Sequence, residues 1–267
     1  TIWPVLGVAA QDVRLANADW SEEGPMLMAD RLEIGVNAGA LFGGAVRITT
    51  LAVEGMALTL ERAADGRGNW ELGGAAGFGG GGTGQPGGAV VPVVTLDRAV
   101  LEGRVVFLDH ATGRRIVLDD LEVEAQLADA AGPLTLTARA AVAGQPLALD
   151  LRAGDAAAFL AGRVGPLTTE ATAGGSVVRF DGRGGIAPPV GEGRLEAELA
   201  DLRALAGLAG MEVPDLPEGL GRRVRDLRGD VTLTSAGSLH LRDAVVLLDA
   251  NRLAGAADIT FDGPRPK

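Results

Sequence analysis

The side chains that could carry catalysis or hold a metal are few in this sequence. It contains two histidines, His110 and His240, and no cysteine. A catalytic histidine needs a nucleophile or a metal beside it, and a histidine-based metal site would need carboxylates from elsewhere in the chain. His110 lies in the turn-like sequence DHATG and His240 stands alone in a strand pattern. We therefore predict ordinary turn and surface roles for both, with no catalytic residue and no metal site.

Neighbouring carboxylates are the next possibility for acid/base or calcium chemistry. Asp119 is followed by Asp120, and Glu22 by Glu23. Adjacent residues of a strand point to opposite faces, so a shared site needs a bulge or a turn, and we interpret both pairs as solvated turn residues. The glycines of GGGGTG lack the Lys-Ser/Thr and the helix start of a phosphate-binding loop. The sequence thus predicts a protein that is not an enzyme and carries no cofactor.

Composition excludes one class of partner. Apolar residues make up 47% of the 267 residues, but aromatic residues only 3%, without any tyrosine, and the net charge is -11. Such a chain offers few rings for stacking bases and repels a phosphate backbone. We predict no nucleic-acid binding. The apolar surface is expected to be smooth and aliphatic.

The elements that must position any site are short strands with alternating polarity. Between Ala29 and Trp70, Leu32 and Ile34 alternate with Arg31 and Glu33, and the pattern recurs along the chain. Each strand therefore has one apolar and one polar face. The residues predicted to form the apolar face are Leu32, Ile34, Val36, Val46, Ile48, Leu58, Leu60, Val105, Phe107, Leu121, Val123, Leu134, Leu136, Leu147 and Leu149.

Helices that could cover this apolar face are scarce. We predict roughly fifteen strands in an antiparallel meander, with breaks near Gly55, Gly103 and Asp120, and short helices near 155–161 and 201–210. Single helical turns are predicted after Asn37 and at 220–224. Either the sheet folds onto itself, or its apolar face accepts an apolar ligand. The periodicity alone does not favour the folded sheet over the ligand-binding face.

The domain organisation is predicted as one continuous domain with an interruption. An N-terminal block spans 1–72, a flexible Gly-rich loop spans 73–91, and the sheet continues over 92–267. No apolar run reaches the roughly 18 residues that span a bilayer. Because the chain begins without Met and ends just after a strand pattern, we expect a fragment of a longer protein whose membrane anchor lies outside it.

Several segments resemble the AsmA family. In the first seventy residues these are Trp3-Pro4, DVRLAN at 12–17 followed by Trp20, ADRLEIGV at 29–36, ALFGGAVRI at 40–48 and LERAADGRGNW at 60–70. Segments at 133–154, 200–217 and 251–266 are similar to the family's repeated region. The resemblance covers most of the chain in order, apart from the Gly-rich loop.

The resemblance implies a fold and a function. The expected fold is all-β with short helical insertions, a long, twisted and curved antiparallel sheet forming a hydrophobic groove, as in chorein-type bridge-like lipid transfer proteins. The expected location is the periplasm, on a bacterial protein anchored in the inner membrane. The expected partner is phospholipid or another acyl-chain lipid, held in a groove lined by the apolar-face residues named above and carried or buffered between membranes for envelope homeostasis. The alternative is a non-enzymatic scaffold or regulator of outer-membrane assembly with a closed β-sandwich core, binding an envelope protein.

The tryptophans are expected to mark one end of this groove. Trp3, Trp20 and Trp70 all lie in the N-terminal block. They are interpreted as core plugs that close the groove, or as interfacial contacts to lipid headgroups.

Overall fold

The strands form one open sheet in chain order. The computed structural model describes residues 5–37, 46–71, 94–129, 132–186, 189–201, 205, 224–249 and 251–260. The strands are β1 Val5–Leu15, β2 Leu27–Asn37, β3 Val46–Arg62, β4 Val94–Asp109, β5 Arg114–Leu127, β6 Leu134–Val142, β7 Gln145–Ala153, β8 Gly165–Ala173, β9 Ser176–Ile186, β10 Pro189–Leu199, β11 Val224–Leu233, β12 Ser238–Leu248 and β13 Asn251–Thr260. The 13 strands are ordered β1 to β13 without a swap. The predicted all-β class is confirmed.

The sheet is mixed, whereas the sequence predicted an antiparallel one. The tight turn after β3 does form, with the Gly66 N–H donating to the Ala63 carbonyl at 2.9 Å and Gly66 at φ 91°. It leads to a single antiparallel bridge between Arg62 and Gly68, not to the next strand. β4 then pairs with β3 in parallel. Parallel neighbours require a long connection, and β3 ends at Arg62 whereas β4 begins only at Val94.

Several predicted strand breaks are β-bulges within longer strands. The register shifts between Val53 and Met56 in β3, where Gly55 has φ 62°. It shifts again in β4–β5, where Asp120 has φ 50°. A bulge adds one residue without ending the strand, so the predicted pairs of short strands merge into single long ones. This explains why the described residues form fewer strands than the sequence predicted.

One strand was missed, and the last residue of one predicted helical turn is in a strand. β8 was not predicted, because its inward positions include Thr169 and Ala171 and give a weak apolar signal. Val224, the last residue of the helical turn predicted at 220–224, begins β11, and the rest of that turn lies outside the described residues. The predicted Gly-rich loop, the turn after Asn37 and most of the 201–210 helix lie outside the described residues. Leu205 is helical, and its N–H donates to the Asp201 carbonyl at 3.2 Å.

The chain divides into two compact units. Unit 1 comprises Thr1–Ala130 and Ala138–Val142, and unit 2 comprises Ala131–Thr137 and Ala143–Lys267. Unit 2 contains the short helix α1, Ala156–Leu160. The Asp155 side chain caps it by accepting the Ala158 N–H at 2.8 Å. The helix predicted over 155–161 is therefore confirmed. Its Ala156 and Phe159 are buried.

Candidate functional site

The strand register of unit 1 aligns apolar residues into rows that cross the sheet. Residues paired across neighbouring strands project from the same face. One row runs through Ala10, Leu32, Val53, Leu101 and Val123, one residue from each of β1 to β5. Every position of this row is therefore apolar and on one face. We call this surface the apolar face of unit 1.

Further rows extend the apolar face on both sides of this one. They are Leu6, Val36, Ile48, Leu96 and Leu127; Val8, Ile34, Leu51, Ala99 and Ala125; Met56, Gly103 and Leu121; Leu15, Leu27, Leu58, Val105 and Leu118; and Leu60, Phe107 and Ile116. The six rows from Ile48 to Leu60 are spaced by two strand residues each, which gives about 33 Å along β3 at about 3.3 Å per residue. Across five strands it extends about 19 Å.

The predicted groove residues divide between the two units. Ten lie in the rows of unit 1: Leu32, Ile34, Val36, Ile48, Leu58, Leu60, Val105, Phe107, Leu121 and Val123. Val46 is in β3, at its start. In unit 2, Leu147 and Leu149 pair with Ala173 and Ala171, Leu134 is buried, and Leu136 is half-buried.

Most of the apolar face is partly exposed. A cluster of Ala29, Val53, Met56, Val105 and Leu121 is buried, and its apolar neighbours are only half-buried. Leu6 and Val8, on the edge strand, are 55% and 69% exposed. No helix occurs among the described residues of unit 1. The side chains of this cluster thus pack mainly beside one another on a single sheet.

The opposite face of the same strands is charged. Arg31 lies opposite Glu54 in the β2–β3 register. Arg104 pairs with Asp119 at 2.9 Å, and Arg98 with Glu124 at 3.0 Å. These residues are exposed or nearly so, and such pairs contribute little stability. These charged side chains keep one face of the sheet hydrated. Apolar contacts are therefore confined to the opposite face.

Aromatic residues stand at one end of the apolar face. The Trp70 and Phe107 ring centroids are 6.4 Å apart. Trp70 lies against Gly68, where a Cβ would come within 2.3 Å of the indole. Trp20 instead contacts His110 edge-on, with centroids 6.2 Å apart. Trp70 therefore lies at the Phe107 end of the apolar face, Trp20 belongs to a different site, and Trp3 lies outside the described residues.

That different site is a buried carboxylate, which the sequence did not reveal. The Glu61 side chain is 1% exposed, and its Oε1 accepts hydrogen bonds from Asn17 Nδ2 at 2.8 Å and from Ser21 Oγ. Its Oε2 lies 2.9 Å from His110 Nε2. Asn69, also buried, donates to Asn17 Oδ1 at 2.9 Å and accepts the Glu61 N–H at 2.9 Å. The segments that follow β1, β3 and β4 thus converge on one side chain.

The hydrogen bonds decide the charge state of this carboxylate. Burial raises the pKa of Glu61, but hydrogen bonds from Ser21, His110 and Asn17 and the charge interaction with His110 outweigh it. The pKa of Glu61 therefore lies below its usual value of 4.5. Asn17 lies in DVRLAN and Asn69 in LERAADGRGNW, two of the segments that resemble the AsmA family. That resemblance was the one sequence feature that could have pointed to the Glu61 network.

Although it joins a serine, a carboxylate and a histidine, the Glu61 network does not have the geometry of a nucleophilic triad. In a triad the histidine lies between the hydroxyl and the carboxylate, so that it can take the hydroxyl proton. Here Ser21 and His110 bind different oxygens of the Glu61 carboxylate, so the carboxylate stands between them. The arrangement favours a structural role over proton transfer from Ser21.

The stability contributed by Glu61 is expected to depend on pH. The pKa of Glu61 is lowered in the folded protein, so ionised Glu61 stabilises the fold at pH values above its ordinary pKa of 4.5. This stabilisation is lost as the pH falls through the pKa that Glu61 has in the folded protein. Urea unfolding from about pH 7 to about pH 3 is expected to show wild type more stable than Glu61→Gln at neutral pH. The difference between the two proteins should shrink in acid. A constant difference would contradict the ionised state of Glu61.

The remaining sequence candidates have structural partners. His240 Nδ1 lies 2.6 Å from Asp258 Oδ1, and Arg104 pairs with Asp119. Asp120 does lie in a bulge, the condition for a shared carboxylate site. However, no group of three or more metal-binding side chains occurs within the described ranges.

A cavity of about 760 Å³ lies in unit 2 and is lined by both charged and apolar side chains. Its walls include Asp150, Arg152, Arg179, Asp181 and Arg194. These residues alternate in sequence with the apolar positions of β7, β9 and β10. Leu136, one of the predicted groove residues, also lines this cavity, together with Leu151 and Phe180, so charged and apolar side chains share its walls.

Comparison with known proteins bears on the N-terminal block, whose strands and turns form the apolar face and the Glu61 network. Residues 1–76 match the model of the AsmA family. The matched AsmA segment contains β1, β2, β3 and the turn with Asn69 and Trp70. It indicates a role in the bacterial cell envelope. No curated protein and no solved structure was found to match the chain.

The AsmA match covers the part of the chain where the resemblance was most specific. The similarity of later segments to the family's repeated region stays a prediction. Membrane anchoring also stays a prediction: among the described residues, no helix has the length and apolar character needed to cross a bilayer.

Proposed function

We propose that this protein binds lipid, with the acyl chains lying on the apolar face of unit 1. The observation that carries the proposal is the alignment of apolar side chains into successive rows across five strands. Five strands of alternating polarity could have placed their apolar residues out of register. Their agreement, despite register shifts in the β2–β3, β3–β4 and β4–β5 pairs, gives a continuous aliphatic surface.

The energetics suit a chain-selective site. Full burial of an acyl chain of about 16 carbons is favourable by on the order of 10 kcal/mol, and covering one side by about half of that. This gain precedes the entropy cost of association. An aliphatic wall provides it without specific polar contacts, so we expect selectivity for acyl chains and little dependence on their exact length.

The role we propose is transport or buffering of phospholipid in the bacterial envelope. The AsmA match of residues 1–76 supports an envelope role, and the apolar face supplies the means of holding lipid. The proposed setting is the periplasm, with the protein held at the inner membrane by an anchor outside this chain. A scaffold that binds an envelope protein remains the alternative, and the single open sheet gives no support to its sandwich core.

The test is whether the protein carries lipid. We expect organic extraction of the purified chain, followed by mass spectrometry, to yield phospholipid in near-stoichiometric amount. We also expect uptake of fluorescent diacyl lipid from donor vesicles, because the face is accessible. Clean protein that takes up no labelled lipid would refute the proposal.

A further inference from the structure

The apolar face of unit 1 ends in charged residues at the end where Trp70 lies. Two residues beyond Leu60 in β3, and therefore on the same face, is Arg62. Its register partner in β4 is Asp109, which pairs with Arg114 of β5. The apolar face thus passes directly into a polar row carrying two arginines and one carboxylate.

The position of the Arg62 guanidinium is set by aromatic contacts. Its central carbon lies 5.8 Å from the centroid of the Phe107 ring, in a cation–π arrangement. Phe107 in turn contacts Trp70, which is 36% exposed. A guanidinium held by its flat face keeps its N–H edges free to bind anions. Arg62 itself is exposed.

The carboxylate nearest in register does not occupy those N–H groups. Asp109 Oδ1 accepts the backbone N–H of Ala111 at 3.0 Å and that of Thr112 at 3.4 Å, within its own turn. The charge of Arg62 acts on Asp109 at longer range. Over the part of the chain that the structure describes, no ion pair links Arg62 to any carboxylate.

We propose that Arg62 binds the anionic headgroup of a lipid whose acyl chains lie on the apolar face. The inference rests on the proposed function and adds the headgroup class and its location. A guanidinium matches phosphate oxygens through two parallel N–H···O bonds. Trp70, with an apolar body and one N–H, suits the boundary between chain and headgroup. The phosphate of a phospholipid meets both requirements.

The experiment compares lipids that share the same two acyl chains. Phosphatidylglycerol is anionic and diacylglycerol is uncharged, and binding of each is measured with fluorescent analogues. We expect wild type to bind phosphatidylglycerol about tenfold more tightly than diacylglycerol, the effect of one charge-assisted contact. Arg62→Gln should reduce the phosphatidylglycerol affinity to that of diacylglycerol and leave diacylglycerol binding unchanged. Arg104→Gln, on the charged face, should change neither.

The outcomes separate this inference from the function on which it rests. If both lipids bind but Arg62→Gln keeps the preference for the anionic one, the headgroup site is wrong and lipid binding stands. If neither lipid binds, the proposed function fails and the headgroup site with it. Inorganic phosphate alone serves as a further probe. If it binds Arg62 as tightly as the lipid does, the site recognises free anions and the inference is overturned.

Discussion

Leu58→Glu is expected to abolish lipid uptake while the sheet remains folded. Leu58 is half-buried on β3, the central one of the five strands that form the apolar face, between Leu27 and Val105. A carboxylate there would be covered by an acyl chain without a partner, at a cost on the order of 3 kcal/mol or more, roughly a hundredfold in affinity. Uptake of fluorescent diacylglycerol measures the loss, because that lipid does not depend on the headgroup site.

Ala57→Glu is the matched control for this change. Ala57 precedes Leu58 in β3, is also half-buried, and projects from the charged face between Met28 and Arg104. A glutamate there meets a positive charge and leaves the apolar face intact, so uptake should stay at the wild-type level. Circular dichroism confirms folding of both variants. Equal uptake by the two would place the lipid elsewhere.

Glu61→Ala is expected to destabilise the protein by about 1 to 3 kcal/mol, the cost of leaving hydrogen-bond donors without their buried acceptor. The substitution removes the acceptor for Asn17, Ser21 and His110. Urea unfolding monitored by tryptophan fluorescence gives the free energy of unfolding, and Trp20 beside His110 reports on the site directly.

Glu54→Ala tests whether that loss comes from burial. Glu54 lies in the same strand but is exposed on the charged face, so its removal should change stability by no more than about 0.5 kcal/mol. Equal losses for Glu61→Ala and Glu54→Ala would mean that the buried network adds no stability of its own.

Local sequence patterns predicted the fold class and the apolar face well. The alternation of Leu32 and Ile34 with Arg31 and Glu33 specifies which side chains share a face, because side chains alternate at every strand residue. The short helix at Asp155 was predictable for a similar reason, since a capping side chain acts within three residues. Interactions between residues this close in the sequence can be predicted from the sequence itself.

Strand continuity was harder to predict, because a glycine can mark either a turn or a bulge. Gly103 was taken as a break between strands, yet β4 passes through it beside Met56 of β3. A Cβ on Gly103 would come within 2.0 Å of the Met56 carbonyl oxygen, so the glycine permits close approach of the two strands. Whether a glycine ends a strand depends on its neighbour across the sheet.

The Glu61 network was also not predictable from local sequence, because its partners are distant in the chain. Glu61 reads as one more outward residue in the alternation of β3, with the same pattern as exposed Glu54. Its burial depends on Asn17, which is 44 residues earlier in the chain, and on His110, which is 49 residues later. No local pattern carries that information, although DVRLAN and GRGNW mark two of the segments that meet there.

The sequence by itself determined that this chain forms strands with one apolar face, and that its N-terminal block resembles the AsmA family. Only the tertiary structure decided that β3 and β4 run parallel, that the apolar rows of five strands align, and that Arg62 ends the apolar face beside Phe107. The physical reason is that alternation is a property of one strand, whereas register and burial depend on pairing between strands distant in the chain.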